Sequence, residues 1–180
     1  MEPGRFIAQL QSSAEADRRV HAVIRLYRAY FLRTPDHGGL TYWLQRRGQG
    51  ATLAAISGSF AGSSEFRSRY GGLTNTQFVR LVYGNVLGRQ PDGAGLAYWT
   101  AQLVNGVSRG QMMASFSQSG EHVRKTASSV RIVATYEDLL RRAAAPPVHD
   151  LLVAGLEAHQ LSLATVSTNV FQSTEYRSQF

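Results

Sequence analysis

Apolar residues recur along this chain with the period of a helix, and the spacing itself repeats. Val23, Leu26, Tyr27, Tyr30 and Phe31 fall at i, i+3, i+4, i+7 and i+8, the stripe that an amphipathic helix turns towards a core. Val79, Val82, Tyr83, Val86 and Leu87 reproduce that stripe residue for residue, 56 positions on. Ile132, Tyr136, Leu139 and Leu140 carry it a third time at an offset of 53. Behind the first stripe, Leu40, Trp43 and Leu44 give a second helix its buried side. Leu53, Ile56 and Phe60 do so for a third helix at about 52–61, and Glu65, Phe66 and Tyr70 mark a short fourth. Behind the second stripe come Leu96, Trp99 and Leu103, then Met112, Met113 and Phe116, then a short helix with Glu121.

Stop and start signals fit the same plan. Residues 1–12 are a short lead-in with Phe6, Ile7 and Leu10 at helical spacing. Ser13 caps the long helix that follows, with Glu15 and Asp17 in its first turn. Pro35 ends that helix near Arg33, and Asp36 caps the next; Gly48 and Gly50 close it. Ser63 or Ser64, then Thr74, Asn75 or Thr76, then Asp92 and Ser119 are the later N-caps. Ser108 with Gln111 reads as a capping box. Opposite the first stripe, Arg18, His21, Arg25 and Arg28 read as a solvated polar face, with an anion-binding stripe as the sharper alternative.

The repeat is tightest in one motif. Arg33-Thr34-Pro35-Asp36-His37-Gly38-Gly39-Leu40-Thr41-Tyr42-Trp43 returns as Arg89-Gln90-Pro91-Asp92-Gly93-Ala94-Gly95-Leu96-Ala97-Tyr98-Trp99. Gly50, Ser59, Phe60, Ser63 and Glu65 keep the same offset to Gly106, Ser115, Phe116, Ser119 and Glu121. The expected fold is all-α: a tandem repeat of about four helices per unit, packed as one compact or slightly elongated bundle. Its divisions are a lead-in at 1–22, a first repeat at 23–72, a second at 73–127 and a degenerate third at 128–180. In the third, Ala143-Ala144-Ala145-Pro146-Pro147 replaces the turn and Leu152-Val153 stand in for Tyr-Trp. The frame recovers at an offset of 54, where Ser162 replaces Ser108 and Gln172-Ser173-Thr174-Glu175 replace Gln118 to Glu121. A terminal copy that keeps packing residues and loses its motif reads as a cap.

Composition changes this picture little. With 180 residues and 43% hydrophobic content, there is enough for a core. No cysteine is present, which removes disulfides and thiolate metal sites. No apolar run reaches the about 18 residues of a membrane span, and the start lacks the layout of a secretory signal. The net charge is +7, and Lys125 is the sole lysine among 19 basic residues. Arginine grips carboxylate and phosphate, so an anionic partner is conceivable, but the positions are scattered.

Within the motif, Pro35 and Pro91 stop one helix while Asp36 and Asp92 cap the next. One carboxylate per copy does not make a calcium site. Gly39 and Gly95 fall inside the second helix, where glycine costs about 1 kcal/mol against alanine, so a neighbouring helix packed close is expected. Trp43 and Trp99 read as core, and Tyr42 and Tyr98 point about 100° away, towards solvent. With Arg46 and Arg47 they are the candidate binding residues. Arg33 and Glu65, like Arg89 and Glu121, stand at constant separation and read as ion pairs tying the helix junction to the fourth helix. The five histidines do not recur between copies, and no nucleophile elbow, metal-ligand helix or phosphate loop is present. No catalytic residue, metal or cofactor is expected.

The pattern Val79…Tyr83…Val86-Leu87-Gly88-Arg89…Pro91-Asp92…Gly95-Leu96…Tyr98-Trp99…Leu103…Gly106…Ser108, ending in Phe116…Ser119…Glu121, resembles the bacterial family called domain of unknown function 4214. The resemblance covers about 23–70 and 78–125. It implies an all-helical, non-catalytic attachment or assembly module of the kind found in secreted and surface-associated bacterial proteins. The expected function is protein–protein attachment or self-assembly. Glycan binding through Tyr42, Tyr98 and nearby arginines is the alternative, and non-specific nucleic-acid binding through arginines ranks third.

Overall fold

Each apolar stripe forms a helix, and no strand occurs among the described residues, 3–179 of the computed structural model. Met1 and Glu2 of the lead-in, and Phe180, lie outside them. Helices α1 (Pro3–Gln11), α2 (Ala14–Ala16) and α3 (Ala22–Phe31) open the chain, with a wide π-helical turn at Asp17–His21 leading into α3. The first copy continues with α4 (His37–Gly48), α5 (Leu53–Ala61) and α6 (Ser64–Tyr70). The second has α7 (Asn75–Val82), extended by a π turn at Tyr83–Leu87, then α8 (Gly93–Val104) and α9 (Arg109–Ser117). Helix α10 (Gly120–Leu140) serves both the second copy and the third, which ends with α11 (Pro146–Glu157), α12 (Leu163–Gln172) and α13 (Thr174–Gln179). The short helix expected after Ser119 therefore runs on without a break for 21 residues, because nothing between Glu121 and Ile132 stops it: neither glycine nor proline occurs there.

Caps and stops recur in all three copies, the third included. Left-handed residues end the stripe helices at Leu32, Gly88 and Arg141, and the motif helices at Gly50, Gly106 and His159. Behind the latter, the N–H groups of Ala51, Val107 and Gln160 donate to the carbonyls of Arg46, Gln102 and Gly155 at 2.9, 3.0 and 3.0 Å, the bond that closes a left-handed helix end. Glycine takes this conformation freely. Leu32, Arg141 and His159 hold it against a cost of roughly 1–2 kcal/mol each, so the third copy has kept the geometry while losing the residues that make it easy.

The lead-in is itself the latter half of a copy. Gly4, Ala8, Ser13 and Glu15 match Gly110, Ala114, Ser119 and Glu121 in order and spacing. Ser13, Ser63, Ser119 and Ser173 each accept the backbone N–H three residues on, at 3.1–3.2 Å. Thus α1 stands where α5, α9 and α12 stand.

Packing divides the chain into two compact units. The terminal unit takes the chain up to Ile24, Thr34–Leu44 and everything from Thr126; the central unit takes Arg25–Arg33 and Gln45–Lys125. Each is built on one pair of equivalent helices, α1 on α12 in the terminal unit and α5 on α9 in the central unit. The terminal core gathers Ile132, Tyr136, Leu139, Leu140, Val166 and Val170. The central core holds an aromatic cluster of Tyr30, Phe60, Phe66, Tyr70 and Phe78, with neighbouring centroids 4.7–6.1 Å apart.

Two expectations about helix faces need correction. Arg18 is solvated, but His21 and Arg25 are buried. His21 Nε2 meets Gln11 Oε1 at 2.8 Å, while Arg25 donates from Nε and Nη2 to Gln118 Oε1 at 3.0 and 2.8 Å. A helix surrounded by others buries both of its sides, so its polar groups must find partners inside. Trp43 and Trp99 are half-buried rather than core. Both lie edge-on to the preceding tyrosine, which shares their exposure to water.

Candidate functional site

The motif places its residues as two linked devices. The first is a helix junction set by proline and aspartate. Asp36 and Asp92 accept the backbone N–H of Gly39 and Gly95 at 2.8 and 2.6 Å. The two glycines are thus the third residues of α4 and α8, in the first turn and not mid-helix. At Gly95 the close neighbour is a side chain and not a helix backbone: a Cβ there would stand 2.5 Å from the Tyr83 hydroxyl.

The second device is a tyrosine–arginine–glutamate stack at the same junction. Arg33, Arg89 and Arg142 lie over the rings of Tyr27, Tyr83 and Tyr136 at 5.1, 5.1 and 5.6 Å. Each reaches a glutamate on the fourth helix. Arg33 Nη2 is 3.5 Å from Glu65, Arg89 forks onto Glu121 at 2.7 and 2.9 Å, and Arg142 forks onto Glu175 at 2.5 and 2.6 Å. The Arg89 hydrogen bond holds the Glu121 carboxyl below the usual carboxylate range, and Arg142 does the same for Glu175. Ion pairs and cation–π stacks this open to water are screened and gain little, so these stacks fix angles more than they add stability. The third one, in a copy that has lost the rest of the motif, identifies the stack as architecture.

The candidate binding residues are brought together only in part. Tyr42 and Tyr98 are 53% and 57% exposed, each with its ring edge-on to its tryptophan at 4.8 and 5.2 Å. Arg46 follows Tyr42 by one turn of α4 and donates to Gln49, while Arg47 donates to the carbonyl of Ala51. In α8 the equivalent positions are Gln102 and Leu103, so tyrosine repeats and arginine does not.

Sequence reasoning missed the character of α8. It carries no charged side chain and none that is fully buried. Ala94, Ala97, Tyr98, Ala101 and Val104 form a continuous outward face, Val104 being 72% exposed. A shallow groove runs along it between Thr76, Leu96 and Ala101. The sequence signal is an uncharged 12-residue helix; Leu96, Trp99 and Leu103, the side that the apolar spacing turns inward, are only half-buried.

A hydrogen-bond chain between residues far apart in sequence joins α10 to α11. Ser129 Oγ lies 2.8 Å from His149 Nε2, and His149 Nδ1 lies 2.9 Å from Asp150 Oδ1. The order resembles a charge-relay, but Ser129 is buried within a helix body. Backbone N–H groups there are committed to carbonyls one turn back, leaving no oxyanion donors beside the hydroxyl. The chain ties two helices together. Among the described residues, no three metal-ligating side chains cluster, and no helix is long and apolar enough to cross a membrane.

His122 supplies a pH-dependent element in the central unit. It is buried, its Nδ1 bonds the Val86 carbonyl at 3.1 Å, and burial, with Arg28 and Arg25 adding repulsion, pushes its pKa below the ordinary histidine value. Below about pH 6.5 the unfolded chain takes up this proton before the folded one does. Central-unit stability is therefore expected to fall as pH drops from 7 towards 5, in urea titrations read through Trp99 fluorescence in a Trp43→Phe background. His122→Gln should flatten that slope; an unchanged slope would assign the effect elsewhere.

Residues 57–126 match the family model described as Domain of unknown function (DUF4214). That span runs from α5 to the start of α10 and includes the second copy of the motif but not the first. No curated protein and no solved structure matches the chain.

Proposed function

We propose that this protein, a member of the DUF4214 family through residues 57–126, is a non-catalytic assembly module that docks a protein partner or a second copy of itself on α8. Its setting would be a secreted, surface-associated or large multi-subunit bacterial assembly. The observation that carries the reading is the uncharged, outward face of α8, with Tyr98 and Val104 at 57% and 72% exposure. Exposed apolar side chains in contiguous array are what protein interfaces cover. Tyrosine beside half-buried tryptophan is the kind of rigid aromatic anchor that dominates such contacts.

Charge argues against the rivals. Five of the arginines are committed within the fold: Arg25 to Gln118, Arg33, Arg89 and Arg142 to glutamates, and Arg109 to the carbonyls of Tyr70 and Leu73. An anionic ligand on α8 would find no cation on that helix. Glycan binding keeps one supporting observation, the exposed tyrosine of each motif copy.

A photo-reactive residue placed at position 98 in the full chain is expected to cross-link a discrete protein species, itself or another. Val104→Glu should weaken that association at least tenfold while helicity holds. A glycan array that lights up and goes dark in Tyr98→Ala would replace this reading with the carbohydrate one. Labelling of Ser129 by a serine-reactive fluorophosphonate would overturn the non-catalytic part.

A further inference from the structure

Where the central unit stacks two rings, the terminal unit has a hole. In the central unit the Trp99 indole packs on Phe116 at 5.2 Å, and Phe116 meets Tyr83 edge-on at 4.9 Å. The bounds of α8 and α11 hold the offset at 53 throughout, which sets Leu151 and Leu152, not Leu152 and Val153, in the places of Tyr98 and Trp99. Exposure agrees: Leu151 is 71% exposed, like Tyr98, and Leu152 is half-buried, like Trp99. The serine caps of α9 and α12 restore an offset of 54, so Val170 stands in the place of Phe116. The extra residue is Leu161, the one position between the Gln160 bond and the Ser162 cap.

Two rings have thus been replaced by short aliphatic side chains while the tyrosine beneath them survives as Tyr136. The surroundings have not collapsed to compensate. A cavity of about 190 Å³ opens between Tyr136, Leu140, Leu152 and Val170, with Arg142 and Glu175 on its polar side. Leu161 lines it without closing it. Its side chain also lies against Gly155, close enough that a Cβ on that glycine would stand 2.6 Å from Leu161 Cδ1. By volume alone about 150 Å³ is room enough for benzene; this pocket exceeds that and is open to water, with both apolar and polar groups in its lining.

We propose that this cavity binds an indole ring, supplied from outside the chain, in the place that Trp99 fills for the central unit. The floor is the apolar surface left by the missing rings. The mouth is held by Arg142, whose two hydrogen bonds to Glu175 and position over Tyr136 keep its guanidinium fixed, where it can lie against a ring face. Asn169 also lines the space, and an amide oxygen is an acceptor of the kind a ring N–H needs. The side chains that shape the site come from the later part of α10, from α11, α12 and α13 and from the turns that join them, and all of these residues lie within the terminal unit. This inference is independent of the α8 reading.

The test is methyl NMR on the full chain, titrated with indole and separately with N-acetyltryptophanamide. Saturable shifts at the Leu152 and Val170 methyls with indole alone identify a small-molecule site. Saturation with both identifies a site that also admits a tryptophan side chain. Leu152→Trp should fill the space and weaken indole binding at least tenfold; Val170→Phe serves the same purpose where that variant does not fold. The reciprocal Trp99→Leu change should raise the stoichiometry from one indole per chain to two. No saturable shift with either probe, or shifts that persist undiminished in the filled variants, would overturn the proposal.

Discussion

Replacing Phe78 by alanine is expected to cost the central unit about 3–5 kcal/mol, the range for truncating a fully buried aromatic side chain. Phe78 has no exposed surface. Its ring meets Tyr70 at 5.5 Å and Phe66 at 6.1 Å, both edge-on, and carries the Arg109 guanidinium 4.7 Å above it. Arg109 in turn donates to the carbonyls of Tyr70 and Leu73 at the end of α6. Removing the ring therefore opens a cavity and also releases the arginine that closes a helix end. The measurement is urea unfolding followed by Trp99 fluorescence in a Trp43→Phe background, since the two tryptophans lie in different units. Phe78→Leu, which keeps most of the volume, should lose clearly less. A loss below about 1 kcal/mol in the alanine variant would mean that the cluster repacks and that Phe78 is no keystone.

How much of this was legible depends on whether a feature is local. The stripes, Asp36 and Asp92 as caps, the Ser108–Gln111 box and the Arg89–Glu121 pair all rest on short spacings or on a constant separation, and the structure shows each of them. The outward exposure of Tyr42 and Tyr98 followed from one turn of helix geometry. The burial of His21 and Arg25 did not. It depends on Gln11 and Gln118, which reach them from 10 and 93 residues away, and a helical wheel sees only one helix. Trp99 was read as core because its stripe position is apolar. The wheel could not show that α8 has too few neighbours to bury any residue fully. The half-copy at the start was hidden for a plainer reason: Gly4, Ala8, Ser13 and Glu15 are common residues, and only the shared caps and the pairing of α1 with α12 give the match meaning.

That half-copy yields the second large effect. Gly4 and Gly110 occupy equivalent places on α1 and α9, each facing its partner helix, yet the space beside them differs. A Cβ on Gly4 would overlap Thr168 Oγ1 and lie 2.7 Å from the carbonyl oxygen of Ala164 and 2.8 Å from the backbone nitrogen of Thr168; on Gly110 the nearest atoms are 3.5 Å away. The Thr168 hydroxyl can rotate aside, but the Ala164 carbonyl belongs to the backbone of α12 and cannot move without the helix. Gly4→Ala is therefore expected to cost the terminal unit about 1–3 kcal/mol, the usual range for overpacking a close contact. Gly110→Ala meets only ordinary van der Waals distances and should be neutral, or stabilising by up to about 1 kcal/mol through helix propensity. Trp43 fluorescence in a Trp99→Phe background reads the first and Trp99 in a Trp43→Phe background the second. Equal effects at the two glycines would mean that α1 does not seat on α12 as α9 seats on α5. The terminal unit would then lose its claim to be closed by the latter half of a repeat.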